Sequence, residues 1–193
     1  MIKEFIEFTT ETISGINPYT ASSIKGAIKQ FELEGKKLVT TLENKFSYLT
    51  QGDILDNIPF YKVNKKTGRL DVFKTKGIIL SNTCDCDRDE NIIIAPFIPI
   101  KDTQKDVQAL KNNISYGHLY LPDNKLDNEV VDFTLSCNFN REIILKGLEA
   151  KAINKVASLN SYGYYLFLCK LTIYLMRPED VGVKEERLKE VAN

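Results

Sequence analysis

The side chains best suited to chemistry are a cysteine–aspartate pair and a single histidine. Cys84 and Asp85 follow the apolar run at residues 77–80 and the polar residues 81–83, and His118 is the one histidine of the chain. A thiol on a turn that leaves a buried strand is firmly held and stays reachable, and a histidine is the usual base for it. The sequence therefore predicts Cys84 and His118 as the nucleophile and base of a cysteine-dependent hydrolase, and Asp85 as a further candidate catalytic residue. The alternative interpretation is structural, with Cys84 as a small apolar plug, Asp85 as a turn cap and His118 as a strand residue.

The acidic residues that follow Cys84 resemble a metal loop only in part. Asp85, Asp87 and Asp89 alternate, but a calcium loop needs a glycine at its sixth position and a glutamate at its twelfth, where Glu90 and Pro96 stand. The one-residue spacing of the first two cysteines also departs from structural zinc patterns. We therefore expect no metal and no cofactor.

A second candidate site is a basic segment that precedes these residues. Between residues 62 and 76 there is one acid, Asp71, among six cations, and Tyr61 and Phe73 are interleaved with them. Cations bind a phosphate backbone, and an aromatic ring offers a stacking face to an unpaired base. The alternative is a solvated hairpin whose lysines protect a sheet edge from aggregation. The predicted nucleic-acid-binding residues are Lys62, Lys65, Lys66, Arg69 and Lys74, and Lys76 is a candidate for stabilising charge in a transition state.

The elements that must position these residues change in character along the chain. Residues 1–47 carry helical spacing, with Ile24, Ile28 and Phe31 on one face. Residues 48–140 contain short apolar runs separated by Gly, Asn, Asp and Pro, which predict strands and tight turns, and residues 141–193 return to a helical pattern. We predict a single α+β domain over residues 1–193, with a β-barrel core flanked by an N-terminal helical element and C-terminal helices.

Within the core, specific strands and one hairpin are predicted. Residues 60–63 and 70–73 flank a loop whose Asn64 and Gly68 suit a hairpin. The apolar triplets at 78–80 and 92–94 indicate central strands that are covered on both faces. A short helix is expected at 102–111, capped by Asp102 or Thr103, and further strands at 117–121 and 130–135. Together these strands predict a strongly bent sheet or small barrel.

Composition limits the partners and the location. Lysine plus arginine equals aspartate plus glutamate, at 26 residues each, so any contact with nucleic acid or membrane must come from a local patch. The most apolar segment, residues 162–176, is too short to span a bilayer, carries Lys170 and is expected to be a buried helix. No signal-peptide pattern is found, so we expect a cytoplasmic protein with reduced cysteines and no membrane contact.

The order of motifs resembles the PemK/MazF family of bacterial toxins. The family barrel begins with Gly-Asp-Ile and passes through a loop-bearing hairpin. Three segments of this chain match its motifs in order: Gly52-Asp53-Ile54, the run from Gly77 to Asn82 and the run from Ile92 to Ile100. The match covers about a quarter of the chain. Family enzymes place an Arg-Pro pair where Lys76-Gly77 stands here, and a Thr or Ser where Pro99 and Ile100 stand. Cys84-Asp85, Leu121-Pro122 and residues 131–133 resemble instead a group of bacterial proteins with no established activity.

The resemblance implies an SH3-like β-barrel of PemK/MazF type, often dimeric, with metal-independent endoribonuclease action on single-stranded RNA in active members. On that basis we expect a toxin-like or defence-associated protein, with RNA, an antitoxin or other protein partner, or a second copy as its partners. In a nuclease, Asp53 or His118 would supply the base and Lys76 or Arg69 the charge stabiliser. The alternative is a non-catalytic scaffold module.

Overall fold

The fold is described by a computed structural model, which gives residues 22–23, 25–27, 29–30, 33, 40–124, 126, 128–176 and 180–191. The described residues between 22 and 33 are helical, as the N-terminal pattern predicts, and Ala27 is buried. The three apolar residues predicted to form the packing face of this helix, Ile24, Ile28 and Phe31, lie outside the described residues.

In the described part of the chain, seven antiparallel strands form one sheet. Its order is β4-β5-β3-β2-β1-β7, and β6 pairs with β3 beside β5. The predicted hairpin is confirmed, since the first two strands pair with each other around the loop that follows Val63. The strands are β1 Ile54–Val63, β2 Leu70–Ile79, β3 Asn91–Pro99, β4 His118–Leu119, β5 Glu129–Asp132, β6 Cys137–Asn140 and β7 Lys155–Ala157.

Five α-helices accompany the sheet in the segments from residue 40 onward that the structure describes. The predicted helix after β3 begins later than expected: a 3-10 turn covers Ile100–Asp102, and Asp106 caps the α-helix by accepting a hydrogen bond from the Ala109 N–H. A second 3-10 turn, Phe133–Leu135, ends the predicted strand at 130–135 early. The helices are α1 Thr83–Arg88, α2 Val107–Lys111, α3 Arg141–Glu149, α4 Ser161–Met176 and α5 Val181–Val191.

The central strands are buried on both faces because helices cover the sheet from two sides. On one face Ile54, Ile78 and Ala95 pack with Leu166 and Phe167 of α4. Neighbouring residues in the same strands point the other way and pack with α1 and α3, among them Leu55, Ile79 and Ile94 with Cys86 and Ile144. Burying both faces explains the continuous apolar runs of these strands.

This layered arrangement confirms the predicted mixture of an antiparallel sheet and helices, but the sheet is not closed into a barrel. Its path ends at β4 and β7, and these two strands are not paired with each other in the described segments. One strand residue also departs from prediction: Ile93 of β3 is 42% exposed, although its neighbours Ile92 and Ile94 are buried. Strand β7 lies in the C-terminal region for which the sequence pattern predicts only helices.

Helix α4 matches the predicted buried helix at 162–176. Its end is exposed at Leu175 and Met176, whereas Lys170 in its middle is 3% exposed. Across the described segments, no helix combines the length and the apolar character that crossing a membrane requires.

Candidate functional site

Two motifs that are distant in sequence meet at one end of the sheet. The Gln51 N–H donates to the Thr83 hydroxyl at 3.1 Å, and the Gln51 side chain donates to the Leu80 carbonyl at 2.8 Å. Tyr164 of α4 donates its hydroxyl to the Gln51 side-chain oxygen at 3.0 Å. Gly52 turns the chain with φ +85°, and a Cβ there would approach Leu159 Cδ1 to 2.9 Å. The turn before β1 is therefore fixed against the segment that carries Cys84.

Cys84 lies in the first turn of the short helix α1. The Asn82 side chain caps this helix by accepting a hydrogen bond from the Cys84 N–H at 3.0 Å. Cys84 is exposed, and Asp85 faces Arg88 one turn later with an N–O distance of 3.6 Å. The polar segment is therefore a capped helical turn rather than an irregular loop.

His118 lies on the edge strand β4, between a hydroxyl and a carboxylate. The Ser115 hydroxyl is 2.8 Å from Nδ1, and Asp132 Oδ2 lies 3.7 Å from Nε2. The Asp132 carboxylate is held in turn by the Thr134 N–H at 2.9 Å and the Thr134 hydroxyl at 2.6 Å. Burial lowers the pKa of His118 below its usual 6.5, against the opposing effect of Asp132. The imidazole is therefore neutral near pH 7.

A buried lysine supports the turn that leads to His118. Lys170 Nζ donates to the carbonyl oxygens of Asn113 at 2.9 Å and Ser115 at 2.6 Å. Burial lowers the pKa of Lys170 from 10.5 to about 8. This amine fixes the backbone beside the histidine and adds positive charge to its surroundings.

The four predicted catalytic residues lie in three different parts of the fold. No hydrogen bond or ion pair joins Cys84 to His118 in the part of the chain that the structure describes. Lys76 forms an ion pair with Glu129 of β5, and both side chains are largely buried. Cys84 and Asp85 thus lie on α1, His118 in the Ser115–Asp132 cluster, and Lys76 in an ion pair between strands.

The two faces of the β1–β2 hairpin differ in chemistry. On one face Phe73 stacks on Phe60 with ring centroids 6.0 Å apart, and Lys62 Nζ lies 5.6 Å from the centre of the Phe73 ring. On the other face Tyr61 pairs across the strands with Val72, and both side chains are exposed. Tyr61, and not Phe73, is therefore the aromatic ring that the hairpin presents to solvent.

The predicted RNA-binding cations are distributed around this hairpin. Lys74 pairs with Pro59 on the Tyr61 face, while Lys65, Lys66 and Arg69 are exposed in the loop. The loop is ordered by the Asn64 side chain, which accepts from the N–H groups of residues 66 and 67. The Asn64 amide also donates to Asp71 at 3.0 Å. The only acid of the segment is therefore hydrogen-bonded to Asn64. The exposed surface of the loop is therefore basic.

Asp53, a candidate base, is instead the centre of a buried network. Its carboxylate is fully buried and accepts from the Thr50 N–H at 2.7 Å, the Ser158 hydroxyl at 2.6 Å and Lys155 Nζ at 2.6 Å. Lys155 also donates to the carbonyl oxygen of Phe46 at 2.9 Å and to that of Tyr48. Both carboxylate oxygens thus accept hydrogen bonds. Through these contacts Asp53 and Lys155 connect the start of β1, strand β7 and residues 46–50.

A surface groove of about 450 Å³ lies next to this network. It runs between residues 44–49 and helix α3, and Phe46, Tyr48, Leu145 and Leu148 line it. Tyr48 is exposed in this groove, as Tyr61 is on the hairpin, so substitutions of these two tyrosines can be compared.

The residues that sequence reasoning missed in these clusters are Ser115, Lys155 and Lys170. The spacing of Ser115 and His118, three residues apart with a glycine between, is a local signal that a turn could bring them together. The partners of Lys155 and Lys170 come from distant parts of the chain, so no local pattern indicates them. Among the described residues, no group of three or more His, Cys, Asp and Glu side chains is placed to hold a metal ion.

Neither the known protein-family models nor the curated proteins include a match to this chain.

Proposed function

We propose that the protein binds single-stranded RNA through the β1–β2 hairpin, as a toxin-like or defence-associated bacterial protein. One observation carries the proposal: the exposed ring of Tyr61 lies on a hairpin whose loop and adjoining strand expose lysine and arginine side chains. Stacking on an aromatic ring and phosphate contacts from cations are the two components of RNA binding without base-specific hydrogen bonds.

The Tyr61 face favours an unpaired strand over a duplex. Val72 lies directly across from Tyr61, and Val63 pairs with Leu70, so an aromatic ring and three aliphatic side chains form one exposed face. Bases in a duplex are stacked on each other and hide their faces, whereas bases of a single strand are free to stack on such a surface. Lys74 beside this face, and Lys65, Lys66 and Arg69 in the loop, would then contact the phosphates.

A link to the PemK/MazF type of barrel is part of this proposal. Its support is the order of the Gly-Asp-Ile motif, the hairpin and the two apolar strands, together with the pairing of β1, β2 and β3 as neighbours. A homodimer and a neutralising antitoxin belong to the same proposal. RNA cleavage has less support than RNA binding, because Asp53 is enclosed by its partners and Lys76 is paired with Glu129.

The test is the affinity for a fluorescently labelled single-stranded oligonucleotide, measured by anisotropy. Replacing Tyr61 by alanine removes the stacking face, so the dissociation constant should rise by about five- to 100-fold. Tyr61→Phe keeps the ring and should stay within about twofold of the original protein. The matched control is Tyr48→Ala, which removes an exposed tyrosine from the groove beside α3 and should change nothing.

Equal affinity of Tyr61→Ala and Tyr48→Ala for the oligonucleotide would refute the proposed binding surface. The same RNA annealed to its complement should bind more weakly, since its bases are no longer free to stack. Incubating the single strand with excess protein and separating it on a gel tests the nuclease version, and intact RNA after this treatment would leave binding alone.

The second candidate is a non-catalytic scaffold module that recruits a protein partner through the same hairpin. The exposed aliphatic side chains of Val63, Leu70 and Val72 favour it, because clustered apolar side chains at a surface are typical of protein-binding sites. Binding of such a partner would depend on these three side chains and little on salt. RNA binding weakens strongly as the salt concentration rises. One salt titration of the binding affinity therefore distinguishes the two candidates.

A further inference from the structure

We propose that Ser115, His118 and Asp132 form a nucleophilic site that transfers the acyl group of small apolar esters to water. This proposal does not rest on the proposed RNA binding, because it involves β4, β5 and the turn before β4 rather than the hairpin. It starts from the arrangement in which one imidazole lies between a hydroxyl and a carboxylate. That arrangement is the basis of nucleophilic serine chemistry on unrelated folds.

The positions of the two neighbours favour one tautomer of His118. Asp132 Oδ2 lies 3.7 Å from Nε2, so a proton on Nε2 faces a carboxylate. Nδ1 then keeps its lone pair and accepts a hydrogen bond from the Ser115 hydroxyl over the 2.8 Å contact. A neutral imidazole is also the form that burial favours here. His118 is thus in the protonation state of a general base, with the hydroxyl at its free nitrogen.

Both neighbours of the imidazole are themselves held in place. Thr134 donates two hydrogen bonds to Asp132 Oδ1, which fixes the carboxylate. Lys170 donates to the Ser115 carbonyl and so fixes the backbone that carries the hydroxyl. Its ammonium, which contacts the main-chain oxygen of Ser115, also adds positive charge to the surroundings of the site, and this charge favours the negative charge of a tetrahedral intermediate. Such support is what distinguishes a prepared site from a chance contact.

The surroundings of Ser115 indicate the class of substrate. Ser115 is half-buried, and the residues on either side of it, Ile114 and Tyr116, are 45% and 42% exposed. An acyl chain that approached Ser115 would therefore meet the apolar side chains of its two neighbours, beside the charged groups of Asp132 and Lys170. A short aliphatic ester fits this description, and a charged peptide does not.

The reaction proceeds in two balanced halves. Ser115 Oγ forms a bond to the ester carbonyl carbon and gives its proton to His118 Nδ1, while Asp132 stabilises the resulting imidazolium. Collapse of the tetrahedral intermediate breaks the bond to the alcohol, which leaves with the proton from Nδ1. Water then attacks the acyl carbon and gives a proton to Nδ1, and the bond to Ser115 Oγ breaks as that oxygen takes the proton back. The products are the alcohol and a carboxylic acid.

The decisive experiment treats the full chain with a fluorophosphonate probe and locates the label by peptide mass spectrometry. We expect stoichiometric label on Ser115 and release of p-nitrophenol from p-nitrophenyl butyrate. Ser115→Ala should lose the label and the hydrolysis, whereas Ser47→Ala, which removes an exposed serine in the groove beside α3, should keep both. A wild-type protein that stays unlabelled under excess probe, or label that persists in Ser115→Ala, would overturn the proposal.

Asp132 is a positioning residue, and it has a separate readout. Asp132→Asn should lower the hydrolysis rate at least about tenfold. Because Asp132 raises the pKa of His118, its loss should also move the acidic limb of the pH–rate profile to lower pH. Loss of rate with an unmoved pH profile would mean that Asp132 acts only on structure and would contradict its assigned role.

Discussion

Lys155 Nζ lies 2.6 Å from Asp53 Oδ2, and this ion pair joins strand β7 to the residue immediately before β1. The carboxylate is completely buried, and the lysine side chain is 12% exposed. Replacing Asp53 by asparagine would leave a buried ammonium without its counterion. We expect a loss of about 3–5 kcal/mol in the free energy of unfolding, measured by urea denaturation.

The control for this variant is Lys101→Met, which removes an exposed lysine. It should stay within about 0.5 kcal/mol of the original protein. If Asp53→Asn unfolds at the same urea concentration as Lys101→Met, the ion pair does not stabilise the fold.

A glycine in helix α4 determines how closely this helix approaches the chain before the sheet. A Cβ on Gly163 would lie 2.2 Å from the Thr40 carbonyl oxygen, which is backbone and also accepts from the Asn160 N–H. Gly163→Ala should therefore destabilise the protein by about 1–3 kcal/mol, because the helix must move away.

Gly26 provides the matched comparison for this substitution. It lies among the helical residues between 22 and 33, and no atom of the described residues is within 4 Å of a Cβ built there. Gly26→Ala should be neutral or stabilise by up to about 1 kcal/mol, since alanine favours the helix. Thermal unfolding of the two variants side by side measures the difference, and equal midpoints would show that the contact with Thr40 is unimportant.

The salt dependence of RNA binding should report the cations of the hairpin loop. Replacing Lys65, Lys66 and Arg69 by alanine removes three phosphate contacts from the proposed site. The slope of log affinity against log salt should fall by about 2 in magnitude, at about 0.7 per contact on a single strand. A triple variant of the exposed residues Lys29, Lys101 and Lys151 has the same net charge and should keep the original slope. Identical slopes in both variants would place the RNA elsewhere.

The single histidine makes a direct pH test available. Burial lowers the pKa of His118 in the folded protein, whereas the unfolded chain titrates near 6.5. Below about pH 6.5 the unfolded state therefore binds more protons at this site, and the folded state loses stability as the pH falls. Asp132, Lys105 and Lys170 are the charged groups that act on it. An NMR titration of the imidazole should give a pKa below 6.5, and His118→Gln should flatten this part of the stability profile.

The four thiols should divide into one reactive and three protected groups. Cys84 is exposed, while Cys86, Cys137 and Cys169 are buried. Burial raises the pKa of Cys86 to about 11 and that of Cys169 to about 12, so few thiolates form at these sites. Ellman's reagent at pH 8 should titrate one thiol quickly in the folded protein and four after unfolding.

This titration also bears on the cysteine-hydrolase hypothesis. Exposure alone would explain why one thiol reacts quickly with Ellman's reagent. The hypothesis therefore also requires that Cys84→Ala abolish an activity. If Cys84→Ala retains the RNA binding and the ester hydrolysis of the original protein, the structural interpretation of Cys84 is favoured.

The hairpin could be predicted from sequence because its signals are local. Asn64 and Gly68 set the turn, and the strands on both sides carry strand-forming residues. The sequence pattern does not predict helix α1, because five of its six residues are poor helix formers and its support comes from the side-chain cap of Asn82 and the buried side chain of Cys86. A local pattern thus indicates turns well and short capped helices poorly.

The open sheet could not be distinguished from a barrel by strand patterns. An apolar triplet such as 78–80 indicates that a strand is central but not what covers it, and here α1 and α3 on one side and α4 on the other do so. The neighbours of the candidate site could not be predicted from local patterns either. His118 was predicted, but its neighbour Asp132 lies on another strand and Lys170 on a distant helix.

The position of β7 affects how the protein folds during translation. Strand β1 pairs with β7, and Thr41 forms a β-bridge with Leu159, so early residues take their partners from a segment synthesised much later. A nascent chain that has emerged only as far as β6 has the hairpin and most of the sheet, but Asp53 still lacks both Lys155 and Ser158. Folding during translation would therefore stay incomplete until β7 and the covering helix α4 have left the ribosome. Ribosome-bound chains that expose these elements should resist protease much better than chains in which they are still inside the ribosome.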